Sequence, residues 1–111
     1  MVTEGPAKKL TIYVDETDKH KGKPVYEVLV NLFYNKKVAG VSVFRGVAGY
    51  GSDGKLHTAK VLELSKTLPI KIEVVDSDEM IHSVMPEVLE IVGRGLIEIS
   101  DTTVIKCCRV S

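Results

Sequence analysis

Tryptophan is absent from the 111 residues, and four tyrosines and two phenylalanines are the whole aromatic complement. That leaves no platform on which single-stranded bases could stack. Charge of one sign is also missing. Fifteen Lys plus Arg balance fifteen Asp plus Glu, whereas a dedicated nucleic-acid binder carries a basic excess. Near neutrality also gives little self-repulsion to oppose subunit association. No apolar run approaches the roughly 20 residues of a membrane helix, and Met1 to Lys9 lack the apolar stretch of a signal peptide. A cytoplasmic location is therefore expected, with no nucleic-acid partner and no membrane insertion. Cysteine is limited to the adjacent pair Cys107 and Cys108. Sequence neighbours rarely reach disulfide geometry, so no covalent staple is expected. The three histidines and two cysteines lack ligand spacing, so no metal site is expected. There is no nucleophile elbow, and Asp15 and Glu16 point to opposite faces of a strand, which is no acid–base dyad. A non-enzymatic protein without a resident cofactor is the expectation.

What the chain does contain is enough hydrophobic material, 44%, for a packed interior. Residues 1–7 read as a disordered tail and residues 8–111 as a single domain. Leu10, Ile12 and Val14 alternate with Thr11 and Tyr13, the period of a half-buried strand. Residues 15–23 form a charged loop. Pro24 then opens a helix, with Val25, Val28, Leu29, Leu32 and Phe33 along one face and Lys36 and Lys37 in the last turn. Gly40 ends the connection, and Val41 to Arg45 reads as the second strand. The stretch Gly46 to Thr58 has four glycines in thirteen residues and no core periodicity. It reads as a long flexible loop, a kind of segment that often carries function. Val61 to Leu64 reads as a short strand, and Pro69 opens a clearer one in which Ile70, Ile72 and Val74 alternate with Lys71, Glu73 and Val75.

Asp76, with Glu79 three residues on, forms a capping box for a second helix. Its apolar face is Ile81, Val84, Met85, Val88, Leu89 and Val92, and Pro86 should kink or split it. Gly93-Arg94-Gly95 ends this helix. Leu96 to Ile99 is the last clear strand, followed by a further short one at Val104 to Cys107. The order β-α-β-β-α-β predicts an α+β, ferredoxin-like βαββαβ sandwich, an antiparallel sheet with two helices on one face. The opposite face would carry Thr11, Tyr13, Ser42, Phe44, Lys71, Glu73 and Val75. It is too mixed for a core and too apolar for plain surface, and burial against other copies of the chain would resolve this.

Several strings occur in a specific order: Tyr13 to Glu16, Asp18-Lys19-His20, Gly22 to Tyr26, Ala39 to Gly46 with Gly49-Tyr50-Gly51, Leu68-Pro69-Ile70, Val74-Val75-Asp76 and Gly95-Leu96-Ile97. Together they resemble the bacterial and archaeal "domain of unknown function 190" family over residues 9 to about 105. That family is similar to the PII-like signalling proteins. The resemblance implies a homotrimer of ferredoxin-like subunits, with adenine nucleotides or other small ligands bound between subunits. It also implies a long loop after the second strand that touches a target protein, here Gly46 to Thr58. The second PII nucleotide loop carries Gly-Asp-Gly-Lys. Here that place holds Gly93-Arg94-Gly95-Leu96, with Arg94 in place of the acid and Leu96 in place of the lysine. Lys106 and Arg109 correspond to the basic residues that PII proteins carry near the C-terminus.

The residues themselves support a ligand site at Arg45, Gly46, Gly49, Gly51, His57, Gly93, Arg94 and Gly95. Glycines let backbone N–H groups approach an anion, and guanidinium groups pair with phosphate or carboxylate. Plainer readings stand beside each. Glycines also serve loops that need positive φ, and Gly93 and Gly95 serve as a helix cap. His57 and His82 also suit a plain surface, and Asp18-Lys19-His20 a solvated loop. The expected function is a trimeric regulator that binds a small anionic ligand, an adenine nucleotide or a cyclic dinucleotide, and controls a target transporter, channel or enzyme through its loop. Two other classes are a divalent-metal tolerance trimer of the same fold and a small ferredoxin-like enzyme.

Overall fold

Alternation of Leu10, Ile12 and Val14 with their neighbours builds the central strand β1 (Gly5–Asp15). In the computed structural model, which describes residues 2–51, 57–58 and 68–107, this strand starts earlier than its alternation indicates. Gly5 to Ala7, read above as tail, pair with Val104 to Thr102, and Val2 and Ala7 are buried. The pairing of a distant strand orders them, a cause that their own composition does not reveal.

The charged segment after β1 contains a small hairpin, β2 (Lys19–His20) against β3 (Lys23–Pro24). Lys21 and Gly22 take φ of 50° and 83°, the positive values that a tight hairpin turn requires. Helix α1 (Val25–Asn35) buries Val25, Leu29 and Phe33. It ends one residue before Lys36 and Lys37, not with them in its last turn. Lys37 donates to Tyr34 O and Val38 to Phe33 O, a Schellman closure with Lys37 in the left-handed position at φ 63°.

β4 (Ser42–Arg45) follows. The glycine-rich segment behind it is not wholly irregular, because β5 (Ala48–Gly49) pairs with β6 (His57–Thr58). The strand expected at Val61 to Leu64 lies outside the described residues. β7 (Pro69–Asp76) shows strict alternation of buried and half-buried positions.

Helix α2 (Asp78–Ile91) is capped by Ser77, whose hydroxyl accepts from Met80 N at 3.1 Å. Asp76 therefore has another role than the cap expected of it. It is fully buried and accepts from Ala39 N at 2.8 Å and Ser77 N at 2.6 Å. This fastens the connection after α1 to the end of β7. α2 runs unbroken through Pro86, because its buried row of Ile81, Val84, Val88 and Ile91 holds both halves on the sheet while Pro86 itself is exposed. β8 (Leu96–Val104) is one long strand, not a strand to Ile99 and a second from Val104. Cys107 is disulfide-bonded, against the expectation of no staple.

The sheet order is β4-β7-β1-β8, antiparallel throughout. Both helices lie on one face, and Leu10, Ile12, Val14, Ile70, Ile72 and Val74 meet Leu29, Phe33, Ile81 and Val88 in one core. Each such side chain contributes roughly 1.5–3 kcal/mol by leaving water. The ferredoxin-like arrangement expected from the order of elements is the one observed. On the open face Phe44 is half exposed and lies under Lys71, whose Nζ is 5.6 Å from the ring centroid. Tyr13 and Leu96, partners in register, are exposed beside each other.

Candidate functional site

The hydrophobic repeat of β1 stops at Val14, and an acidic segment follows at the C-terminal end of the central strand. Antiparallel pairing puts the start of β7 on one side of that end, since Asp15 faces Pro69, and the start of β8 on the other, since Tyr13 faces Leu96. Two glycine-bearing loops meet there: the one leaving β4 and the one joining α2 to β8. Between them is a cleft of about 410 Å³ lined by Tyr13, Val14, Asp15, Tyr50, Gly51, Pro69, Gly95 and Leu96. A larger hollow of about 630 Å³ lies between the end of α1 and Val41, lined among others by Phe33, Tyr34 and Val38. None of the converging loops reaches it.

The glycines at the cleft have steric reasons. Gly46 donates its N–H to Pro69 O at 2.7 Å, and a Cβ on Gly46 would be 2.7 Å from Pro69 Cγ. Gly49 at φ 153° also lies against Pro69. Gly95 has φ 143°, and a Cβ there would press into the carbonyl oxygen of Tyr13. Close approach of backbone to backbone thus brings both loops onto β1 and β7.

Neither arginine singled out in the sequence lines this cleft, but both meet the segment after β1, Arg45 from the last position of β4 and Arg94 from the loop before β8. Arg45 Nε donates to Glu16 Oε2 at 2.9 Å. Arg94 Nε lies 3.6 Å from Asp18 Oδ1. The acidic segment is itself fixed. Asp15 N donates to Asp18 Oδ2 at 2.9 Å, Asp18 N to Asp15 O at 3.0 Å, and Glu16 N to Leu68 O at 3.0 Å. Asp18 O accepts from Val25 N at 2.9 Å, which ties the segment to the start of α1.

Of the residues selected from sequence, Gly51 and Gly95 line the cleft, while Gly46 and Gly49 support its wall. Arg45 and Arg94 do not line it and are paired instead with Glu16 and Asp18. His57 pairs through its backbone with Gly49. Gly93 lies in an open bend with nothing within 4 Å of where a Cβ would stand. Asp18, read as part of a solvated loop, is an ion-pair partner. His82 is exposed on α2 and contacts Asp78. Arg109 lies outside the described residues.

Sequence reasoning missed Tyr13, Asp15, Tyr50, Pro69 and Leu96 as lining residues, and Glu16 as a counter-ion. A terminal strand position followed by acids was visible, but only the sheet order puts it between the two loops. Among the described residues there is no group of three or more His, Cys, Asp or Glu placed to hold a metal ion. No helix there is long and apolar enough to cross a membrane.

Residues 7–104 match the model of a family described as "Uncharacterized ACR", the domain of unknown function 190. A UPF0166 protein of Methanocaldococcus jannaschii is 37% identical over 101 residues, covering 90% of this chain and 93% of its own. A UPF0166 protein of Aquifex aeolicus is 33% identical over 100 residues, covering 88% and 92%. Among solved structures, the fold is similar to CPII from Thiomonas intermedia K12, a nitrogen regulatory PII-like protein bound to ADP, AMP and bicarbonate. Its TM-score is 0.63 at 19% identity, covering 93% of this chain and 99% of that one. A second CPII structure, bound to ADP, AMP and acetate, gives 0.64 at 17% identity, covering 95% and 94%. At these identities the likeness establishes a common PII-like fold.

Proposed function

This chain belongs to the domain of unknown function 190 family, and from that premise we propose that it is a PII-like regulatory protein that binds a small anionic ligand in the cleft at the end of β1. The observation that carries the reading is the convergence there of two glycine-bearing loops around a largely apolar cleft with two tyrosines, with Arg45 just before one loop and Arg94 within the other. Apolar walls suit a flat ring. Guanidinium groups and glycine backbone suit phosphate or carboxylate. CPII, which shares the fold, is bound to adenine nucleotides; an adenine nucleotide or a cyclic dinucleotide is the ligand proposed here.

The chain acts as a homotrimer. Its open sheet face exposes Tyr13, Phe44 and Leu96, and covering it with other copies brings the cleft, which shares Tyr13 and Leu96, next to a subunit seam. Ligand binding biases the segment from Gly46 to Thr58 toward one conformation, and that segment alters affinity for a target protein such as a transporter or an enzyme. The protein is regulatory, without a catalytic role.

The test is calorimetric titration of the purified protein with AMP, ADP, ATP and cyclic dinucleotides, with mass measured by light scattering. Saturable binding to a trimer is expected, weakened about tenfold or more in Arg45→Ala and in Arg94→Ala, since a charged hydrogen bond is worth roughly 1.5–3 kcal/mol. Failure of every nucleotide to bind would remove the reading.

A further inference from the structure

The segment that joins β1 to α1 is balanced by composition, with Asp15, Glu16 and Asp18 against Lys19, Lys21 and Lys23. Folding separates the two signs. Asp15 is buried, and the side chains of Glu16 and Asp18 are only 22% and 13% exposed, each against an arginine. The three lysines are exposed on the β2–β3 hairpin and form no ion pair among the described residues. Elsewhere Lys8, Lys9, Lys36 and Lys71 each lie against an acid. We propose that this hairpin is a docking tip for an acidic stretch of the target protein. The proposal names the chemistry of that partner and rests on the regulatory reading given above.

Shape makes the first argument. Lys21 and Gly22 fix the turn at φ of 50° and 83°, and Asp18 O accepts from Val25 N at 2.9 Å, which holds the base of the hairpin to α1. The lysines are thus presented on ordered backbone, so a partner meets them without ordering the chain that carries them. Like charges held this near each other repel, and an anionic partner removes that cost.

Placement makes the second argument. The hairpin follows the end of β1, where the two glycine-bearing loops also meet, because Asp18 N donates to Asp15 O at 3.0 Å and Asp15 lines the cleft. On α2, Glu79 and Glu90 are exposed and form no ion pair among the described residues. An acidic partner is repelled there and steered toward the lysines, which sets its orientation. A lipid surface fits less well. Basic patches that hold anionic lipid take roughly four to eight Lys or Arg, and residues 19–23 add no apolar side chain. A nucleic acid fits less well for want of an overall basic excess.

The experiment is fluorescence anisotropy with a labelled peptide of alternating Asp and Glu, titrated with the full chain at low and at physiological salt. The proteins are the wild type, the triple variant Lys19→Gln, Lys21→Gln, Lys23→Gln, and the single variants Lys21→Gln and Lys37→Gln. Lys37 is the matched control: exposed, left-handed at φ 63°, without an ion pair among the described residues, and at the other end of α1. The wild type should bind, less tightly as salt rises. The triple variant should weaken binding about tenfold and Lys21→Gln roughly twofold to fivefold, with Lys37→Gln unchanged. Nucleotide titration of the triple variant should match the wild type. No binding of the peptide by the wild type, equal affinity in the triple variant, or equal losses in the two single variants overturns the inference. So does tighter binding to phosphatidylserine vesicles or to a short RNA than to the peptide. All of these leave the nucleotide reading standing. A triple variant that loses nucleotide together with peptide overturns the inference as well, since the hairpin would then belong to the ligand site.

Discussion

Replacing Gly95 by alanine tests how the cleft is built. At φ 143° the backbone is in a region that L residues rarely adopt, and the strain is worth roughly 1–3 kcal/mol. The added Cβ would also stand inside the 3.0 Å limit from Tyr13 O, and 3.2 Å from Val14 Cγ1. Overpacking of this sort costs a further 1–3 kcal/mol or so. The sum is about 2–6 kcal/mol. Neither neighbour can yield easily, because Tyr13 is paired with Lys71 on one side and Leu96 on the other, and Val14 is paired with Ile70 and buried in the core.

Gly93→Ala, two residues away with open space around it, is the matched control and should cost less than about 0.5 kcal/mol. With a urea slope of roughly 1–3 kcal/mol per molar, the Gly95→Ala midpoint should fall by about 1–3 M at equal protein concentration. The two variants unfolding together, within measurement error, would refute the close approach of this loop to β1, and with it the geometry of the cleft.

Asp76→Ala removes the acceptor of two backbone N–H groups from a fully buried position and should destabilise the chain by about 2–4 kcal/mol in the same urea assay. Lys37→Gly should do the reverse and stabilise it by roughly 0.5–1 kcal/mol, read as a higher melting temperature, because Lys37 holds a left-handed conformation at the Schellman position. Lys8 and Asp101 form an exposed hydrogen-bonded ion pair. Asp101 is lowered from 3.8, first by its hydrogen bond to Lys8 and then by the Lys8 charge, and Lys8 is raised from 10.5 by the same contacts. The pair's contribution is therefore present between those two values. It is lost as pH falls through the lowered Asp101 value, and again as pH rises through the raised Lys8 value. An NMR titration should place the Asp101 midpoint below 3.8 in the wild type and back near that value in Lys8→Met.

Periodicity made both helices, β1 and β7 legible before any coordinates, because the alternation of Ile70, Ile72 and Val74 and the stripe of Val25, Leu29 and Phe33 are local responses to one buried face. The errors fell where a partner distant in sequence decides. Gly5 to Ala7 are strand only because Thr102 to Val104 pair with them. Pro86 neither splits nor ends α2, because the sheet holds the helix on both sides of it. Asp76 looked like a cap because the pattern of a capping box is local, while its true donor, Ala39 N, is thirty-seven residues away. The candidate site divides in the same way. Arg45, Gly46, Gly51, Arg94 and Gly95 announce themselves, since glycine and arginine are unusual in such runs. Tyr13, Asp15, Glu16 and Asp18 do not, since each looks like ordinary strand or loop.

The order of hydrophobic stripes in this chain was enough to determine a βαββαβ sandwich, since few arrangements bury two amphipathic helices and four alternating strands together. Which acid faces which arginine was decided only when β1 took its place between β7 and β8. Charge pairing depends on distances of a few ångströms, and these come from sheet topology rather than from the spacing of residues along the chain.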